Sequence, residues 1–310
     1  MLPISRRQVL IGTGAFGLAS LSVGGYAVAI EPEMVPLVRR YAISSPHWPE
    51  GMSLKLGVIA DIHACEPWMP AERVRQIADQ TNALSPDLIV LLGDFNAGHR
   101  FVTGPVMPAA WADALSVLRA PLGTYAILGN HDWWHGPVPG MKGGPEEVRQ
   151  ALRGIGVRVL ENDAVPIEGG GRRFWLAGLA DQMAYFTQGR GHRGADDLAA
   201  TLQQVRDDAP VIMLAHEPYA FRRMPDRVAL TLSGHTHGGQ VVIPRLGPIV
   251  TPSRRYNYGH IVENDRHLVV SGGLGTSGLP VRFGVPPEIL DVAIGGPGPR
   301  VTGETSASLL

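Results

Sequence analysis

Residues 88–94 read Leu-Ile-Val-Leu-Leu-Gly-Asp, an apolar run that ends in a glycine and a carboxylate. A continuous apolar run of this length predicts a strand buried on both faces, as in the sheets of α/β proteins. Residues 54–61, Leu-Lys-Leu-Gly-Val-Ile-Ala-Asp, repeat the arrangement. Ligands of open α/β sheets bind beyond the carboxyl ends of the strands. Asp61 and Asp94 are therefore predicted to lie at such an edge.

Further polar side chains follow three more predicted strands, Thr124–Leu128, Val211–Ala215 and Val228–Ser233. With Asp61-Ile62-His63 and Gly93-Asp94 they make five segments in a fixed order, the others being Gly129-Asn130-His131-Asp132, His216 and Gly234-His235-Thr236-His237. Nitrogen and oxygen ligands that converge from five strand ends can build a two-metal site. Such a site is the usual means of attacking a phosphate ester. The pattern indicates a metal-dependent phosphoesterase.

The remaining pattern completes one domain with two sheets between residues 50 and 295. Apolar residues at helical spacing, or a proline at a first-turn position, predict helices at Ala71–Leu84, Ala109–Leu118, Pro145–Ile155 and Asp196–Arg206. Strands are predicted at Arg173–Leu179 and Ile289–Ile294. The second half is expected to be more antiparallel, with short strands at Gln240–Ile243, His260–Val262 and His267–Ser271.

The chain ends carry different signals from the body. Arg6 and Arg7 precede a stretch without charged residues, Val9 to Ile30, and Ala27-Val28-Ala29 suits a cleavage site. Residues 1–30 resemble a twin-arginine export signal, and the stretch is also long enough, at ~20 residues, for a membrane anchor. Either way, the paired arginines favour a body in the periplasm or at the outer face of the cytoplasmic membrane. We expect a linker at residues 31–49 and a flexible tail at residues 296–310.

Composition restricts the partners. The 310 residues carry a formal net charge of -1, which gives no basic footprint, so no nucleic-acid partner is expected. A single cysteine excludes an internal disulfide. Neither number decides the compartment.

The five segments together resemble the calcineurin-like metallophosphoesterase superfamily. Residues 126–134 and 232–240 look like its exported bacterial phosphodiesterase branch. The resemblance covers the body from Asp61 to His237. It implies an α/β fold, a four-layer α/β/β/α sandwich with two mixed β-sheets and a dinuclear metal site at the strand carboxyl ends.

The resemblance also implies a ligand set for two divalent ions. Asp61, His63 and His237 would hold one ion, Asn130, His216 and His235 would hold the other, and Asp94 would bridge them. Imidazole suits Mn, Zn and Fe alike, so the ligands do not identify the metals.

Two residues of the same segments are assigned to catalysis. His131 resembles the family's catalytic histidine, expected to protonate the leaving group. Asp132 either orients that imidazole or caps a turn. Trp133 and Trp134 are interpreted as a lip for a lipid or glycan or as core, and Arg282 as a substrate contact or a solvated loop residue.

The implied reaction is hydrolysis of an envelope or lipid-linked phosphodiester through a metal-bridging hydroxide. The alternatives are a UDP-2,3-diacylglucosamine-type pyrophosphatase of lipid A synthesis, a phosphomonoesterase, and a metal-binding module that has lost catalysis. The pyrophosphatase would require a body that faces the cytoplasm. An intact His131 argues against lost catalysis.

Overall fold

A computed structural model describes residues 21–138, 140–141, 143–169, 172–189 and 191–295. Residues 1–20 of the predicted export signal or anchor lie outside the described residues. The predicted tail, 296–310, lies wholly outside them. Within the described part, no helix is both long and apolar enough to span a bilayer.

The helices are α1 (21–29), α2 (Ala71–Ala83), α3 (Pro108–Leu115), α4 (Asn130–Trp134), α5 (Pro145–Gly154) and α6 (Leu198–Gln203). Short 3₁₀ helices cover Glu31–Glu33, Pro218–Arg223 and His237–Gly239. The strands are β1 (Leu37–Ile43), β2 (Leu54–Ile59), β3 (Cys65–Glu66), β4 (Leu88–Leu91), β5 (Gly104–Pro105), β6 (Thr124–Ala126), β7 (Arg158–Val159), β8 (Asp163–Gly169), β9 (Arg172–Gly178), β10 (Tyr185–Phe186), β11 (His192–Arg193), β12 (Val211–Leu214), β13 (Val228–Ser233), β14 (Val242–Ile243), β15 (Gly247–Pro248), β16 (Gly259–Glu263), β17 (Arg266–Val270) and β18 (Glu288–Ile294).

Two six-stranded mixed sheets form the centre of the fold. The first has the order β1-β18-β2-β4-β6-β7 and the second the order β16-β17-β13-β12-β9-β8. In the first sheet β2, β4, β6 and β7 are parallel neighbours, and β18 runs antiparallel to β2. In the second sheet β9, β12, β13 and β17 are parallel, with β8 and β16 antiparallel at the edges. The predicted class of fold, α/β with two mixed sheets, is confirmed.

Three apolar clusters hold four layers together. The central cluster joins the facing sides of the two sheets, for example Leu56 and Val90 of the first with Leu176 and Leu214 of the second. A second cluster lies between the first sheet and α2, α3 and α5. A third packs α6 and the 3₁₀ helix Pro218–Arg223 on the outer side of the second sheet. The order of layers is therefore α/β/β/α, as expected.

Local pattern explains the elements that carry the site. All four residues of β4 are buried, as expected for a strand covered on both faces. In α2 the buried residues Val74, Ile77, Ala78 and Thr81 recur at helical spacing and form one face. Because β2, β4, β6, β12 and β13 end at the same edge of the sandwich, the loops that follow them meet there.

One part of the chain differs from the sequence prediction. Residues 31–49, predicted to be a linker, contain β1, which pairs in parallel with β18 along seven residues. This pairing joins positions about 250 residues apart, so no local pattern signals it. The antiparallel character expected of the second half is present, because β14 pairs antiparallel with β15 and β16 antiparallel with β17. On its other side, β17 runs parallel to β13.

Candidate metal centre

The loops after β2 and β13 bring three potential ligands together. One donor atom from each of Asp61, His63 and His237 lies within 4.8 Å of the others. The two imidazoles are stacked with their Nε2 atoms 3.1 Å apart, and His237 Nε2 lies 3.8 Å from Asp61 Oδ1. All three side chains are buried. This group has the composition of a metal site, which we call cluster A.

Asp94, from the loop after β4, lies between cluster A and His216, which follows β12. Its Oδ2 is 3.5 Å from His63 Nε2 and 3.3 Å from His216 Nε2. Asp61, Asp94 and His216 also form a group with donor atoms within 4.8 Å. One carboxylate therefore reaches both sides, which is the geometry required of a ligand shared by two cations.

The second side of the site contains His216, His235 and Asn130. Nδ1 of His235 lies 2.9 Å from Oδ1 of Asn130. His216, His235 and Glu217 have donor atoms within 4.8 Å of one another. We call His216, His235 and Asn130 cluster B. All seven residues predicted as ligands thus converge in clusters A and B around Asp94.

Among the seven predicted ligands, two buried side-chain atoms make no hydrogen bond. They are Oδ2 of Asp61 and Nε2 of His216. A buried polar atom without a hydrogen bond is unfavourable, and a coordinated cation would satisfy both. The donor set, imidazole nitrogens with carboxylate and amide oxygens, fits divalent ions.

Burial keeps most of the imidazoles neutral, as ligation requires. Removal from water lowers the pKa of His63 to about 4 and that of His235 to about 4, so their nitrogen lone pairs are free at neutral pH. Burial and the neighbouring Asp94 raise the pKa of Asp61 to about 7. Burial alone would disfavour the charged forms of Asp94 and His216, but their mutual attraction dominates: the pKa of Asp94 is lowered and that of His216 is raised.

The backbone of the site adopts unusual conformations. Five of the seven candidate ligands have φ between 47° and 71°: Asp61, His63, Asp94, His235 and His237. Residues other than glycine rarely adopt this left-handed region, and such strain concentrates at functional sites. The turns aim the side chains inward at the expense of local stability.

Gly129 allows the two halves of the site to approach. A Cβ at this position would lie 2.4 Å from Asp94 Oδ1 and 2.5 Å from His216 Cε1. No side chain fits that space, so the glycine before Asn130 is required by the packing of the site.

The structure corrects the catalytic assignment of Asp132. Its Oδ2 accepts hydrogen bonds from the backbone N–H groups of Asp94 and Gly129, and its Oδ1 from those of Phe95 and Asn96. The carboxylate is fully buried and is used in positioning the loop that carries Asp94. Of the two alternatives, the turn cap is the one observed. A carboxylate bonded to four amides has no position from which to orient the His131 imidazole.

His131 lies at the edge of the ligand set, with its ring 5.0 Å from that of His63. Its Nε2 is 3.1 Å from Ser277 Oγ. Burial lowers its pKa to about 3, so the imidazole is neutral before a substrate arrives. Trp134 lies 5.3 Å from the same ring and stacks on His192 of β11, next to the exposed Phe186. Trp134 therefore borders the site, whereas Trp133 packs against the cluster beside the first sheet.

Three residues near the site were not predicted from sequence. Glu217 follows His216 and belongs to its donor group, and Asp181 is buried next to it. Ser277 comes from the loop after β17. The only available signal was the position of Glu217 directly after a predicted ligand, because the other two residues are brought in by the fold.

Arg282 is neither a substrate contact nor a solvated residue. It is fully buried and donates to the carbonyl oxygens of Gly272, Gly275 and Val285. Its Nη2 lies 3.3 Å from Nδ1 of His237, so the guanidinium supports that imidazole from behind. Burial lowers the Arg282 pKa to about 10.

Two strand-end clusters joined by one carboxylate define a class of metal-dependent hydrolases, and comparison identifies the family. Residues 54–239 match the family described as "Calcineurin-like phosphoesterase". The chain therefore belongs to the calcineurin-like metallophosphoesterase family and is a hydrolase of phosphoesters that uses divalent metals.

Known relatives extend over almost the whole chain. The chain is 34% identical over 301 residues to "Uncharacterized metallophosphoesterase YkuE" of Bacillus subtilis (strain 168), covering 93% of this chain and 97% of the relative. It is 30% identical over 293 residues to "Phosphodiesterase YaeI" of Escherichia coli (strain K12), covering 92% and 97%. A 29% identity over 285 residues relates it to "Transmembrane protein with metallophosphoesterase domain" of Danio rerio, covering 89% of this chain and 60% of that protein.

Proposed function

We propose that this protein is a phosphodiesterase with two divalent ions, which acts on an envelope or lipid-linked phosphoester. The observation that carries the proposal is the position of Asp94, within 3.5 Å of one imidazole from each cluster. The similarity to a relative described as a phosphodiesterase favours a diester over a monoester.

Each group has a separate task in this proposal. Cluster A with Asp94 would hold one ion and cluster B with Asp94 the other. When bound, the ions supply charge neutralisation at the phosphoryl group and an activated water. Asp132 fixes the Asp94 loop through backbone amides. His131, whose ring lies 5.0 Å from a cluster A ring, would be protonated beside the phosphate anion of the bound substrate; it then donates that proton to the leaving oxygen and returns to the neutral imidazole.

Turnover of two related esters tests the reaction. The full chain, reconstituted with Mn²⁺, is expected to hydrolyse bis-p-nitrophenyl phosphate faster than p-nitrophenyl phosphate, and a chelator should abolish both activities. His216→Ala should remove turnover, whereas His47→Ala, a matched change on the segment between α1 and β2, should not. Faster monoester hydrolysis would contradict the diester preference, and no metal-dependent turnover would contradict the reaction itself.

We further propose that the body acts in the periplasm or at the outer face of the cytoplasmic membrane. The support is Arg6-Arg7 followed by the uncharged stretch Val9–Ile30. A carboxyl-terminal reporter that is active only outside the cytoplasm should be active on the full chain. Conversion of Arg6 and Arg7 to Lys should silence it if the twin-arginine system exports the protein, while the same change at Arg39 and Arg40 should not. A silent reporter on the unsubstituted chain would instead favour a substrate on the cytoplasmic side.

A further inference from the structure

Helix α1 is an apolar helix that the body leaves uncovered. Residues 21–30 read Leu-Ser-Val-Gly-Gly-Tyr-Ala-Val-Ala-Ile, and all except Ala27 are exposed. Leu21, Val23 and Ile30 are 75%, 51% and 54% exposed. A helix without a polar face that is exposed nearly all round is unfavourable in water and requires an apolar environment.

The helix is nevertheless attached at a defined place. The carbonyl of Ala27 accepts from the backbone N–H of Arg282 at 2.8 Å, and that of Val28 accepts from Trp68 Nε1 at 3.0 Å. Directly after the helix, the buried Glu31 carboxylate accepts from the backbone of Gly284 and Val285. Because these contacts fix α1 to the loops beside cluster A, the surface around it can be defined.

Exposed apolar residues surround α1 on those loops. On one side, Trp68 packs on His99, and the His99 ring lies 6.4 Å from that of Phe101, which is 53% exposed. On the other side, Phe283 contacts Tyr26 of the helix and bonds through its carbonyl to Val242 of the β14–β15 hairpin. That hairpin and the residues after it expose the side chains of Leu246, Ile249 and Val250 by 68%, 60% and 76%. With α1 and Leu279, 55% exposed, these residues form what we call the apolar face.

Three loops of the apolar face carry positive charge without negative charge, and the acidic residues beside them are Glu31 and Glu33 after α1 and Glu66 next to Trp68. Residues 98–107, 240–259 and 275–287 contain five arginines and no Asp or Glu, although the whole chain has a net charge of -1. Arg282 is buried and Arg255 pairs with Glu263, which leaves Arg100, Arg245 and Arg254 exposed. Basic residues beside apolar side chains are typical of surfaces that bind anionic membranes.

The site opens next to this face. Gln240 donates to the carbonyl oxygens of Ser277 and Leu279, and the Ser277 hydroxyl lies 3.1 Å from His131 Nε2. A surface that contacted Leu279 would therefore adjoin the residue expected to protonate the leaving group.

From this arrangement we infer that the apolar face rests on a lipid bilayer that contains anionic lipids, with the metal centre turned toward the membrane surface. The occupant is a bilayer because the uncharged stretch, retained as an anchor, continues from α1 back to Val9 and so has the ~20 residues that a span requires. A partner protein would not need such a length. The inference deepens the proposed function and rests on it in one respect: a lipid-linked diester would reach His131 without leaving the membrane surface.

Single-site fluorescence labelling of the full chain tests the contact. The one natural cysteine, Cys65, is buried, and burial raises its thiol pKa to about 11, so it reacts slowly near neutral pH. Phe101→Cys, Leu246→Cys and Ile249→Cys would carry an environment-sensitive dye. Val262→Cys is the matched control, because Val262 is also 53% exposed. It lies on β16 beside the start of β17, away from the strand ends that carry the metal centre.

Vesicles of phosphatidylcholine mixed with phosphatidylglycerol are expected to shift the emission of the three test labels to the blue and to leave the control label unchanged. With phosphatidylcholine alone the shift should be several-fold weaker. Arg245→Gln with Arg254→Gln should weaken it similarly, whereas Arg206→Gln, on an exposed loop after α6, should not.

Three results would overturn the inference. The protein could float with the vesicles while the test labels stay in water, which would mean attachment through the amino-terminal stretch alone. The labels could shift without vesicles and increasingly with protein concentration, which would mean that a second copy covers the face. An emission shift of the control label at position 262 equal to that of the test labels would mean that the protein inserts into the vesicles without using the apolar face. Hydrolysis of soluble bis-p-nitrophenyl phosphate, measured on the same variants, separates a failure of docking from a failure of the proposed reaction.

Discussion

Nε2 of His131 and the hydroxyl oxygen of Ser277 lie 3.1 Å apart, although 146 positions separate the two residues in the chain. His131 follows β6 in the first sheet, and Ser277 follows β17 in the second. The candidate acid is therefore held by both sheets, and its ring orientation depends on their relative position.

His131→Ala is expected to lower kcat by about 10²–10⁴ while two equivalents of metal remain bound. The reason is that the imidazole neighbours the clusters without belonging to any of the donor groups. Metal analysis together with turnover of bis-p-nitrophenyl phosphate measures both properties. Loss of metal from this variant would show that the ring is a ligand rather than the acid.

Ser277→Ala should reduce kcat several-fold, because its hydroxyl positions the imidazole without contacting a reacting atom. A double-mutant cycle checks this: combined with His131→Ala, the serine change should have no further effect. Ser116→Ala, at the exposed end of α3, serves as the matched control. Additive effects in the double variant would contradict a role exerted through His131.

Asp94→Asn is expected to abolish activity and to weaken both metal sites. An amide keeps the shape of the side chain but removes the negative charge that lies within 3.5 Å of imidazoles from both clusters. The metal content of the purified variant should fall below one equivalent, and Asp79→Asn on the exposed side of α2 should retain two. A variant that holds one ion tightly would mean that Asp94 belongs to one site only.

Sequence could predict the elements whose signal is local. The apolar run at residues 88–92 and the helical spacing of Val74, Ile77 and Ala78 correspond to β4 and α2, because each depends on side chains close together in the chain. The candidate ligands could also be predicted from sequence, since each follows a recognisable strand. The rest depends on distant pairing: β1 is a strand only because β18 is beside it.

Asp132 shows the same limit at the scale of one side chain. Its position directly after His131 suggested a catalytic role, yet its oxygens accept bonds from the backbone of residues 94–96, about 37 positions away. Adjacency in sequence does not determine direction in space. Only the hydrogen bonds from the loop after β4 show that the carboxylate caps that loop.

Asp132→Asn is therefore expected to destabilise the protein more than it affects the chemistry of bound substrate. One side-chain oxygen becomes an N–H₂ group that faces backbone N–H donors in a buried site, a change that costs about 2–4 kcal/mol. Urea unfolding measures the loss, with Asp208→Asn on an exposed loop as control. Unchanged stability accompanied by lost turnover would restore the catalytic assignment.

Asp181 provides a prediction for the pH dependence of stability in the metal-free protein. Burial, and next the Glu217 carboxylate, raise its pKa to about 10, whereas in the unfolded chain an aspartate titrates near ~4. The folded state therefore retains a proton that the unfolded state loses between these values. The stability contributed by this residue is present below the unfolded pKa and is lost as pH rises toward the folded pKa, by at most about 1.4 kcal/mol per pH unit.

Asp181→Asn should remove this dependence, because the amide does not titrate and its oxygen can still accept from the N–H of Met183, as Oδ1 does now. The variant should therefore have a higher free energy of unfolding than the unsubstituted protein, and the difference should increase with pH between the unfolded and folded pKa values of Asp181. Urea unfolding in a chelator at two pH values inside that window measures the difference, and Asp79→Asn, which is exposed, should show none. Parallel curves for the variant and the unsubstituted protein would mean that Asp181 is ionised in the folded state, with its charge compensated within the site.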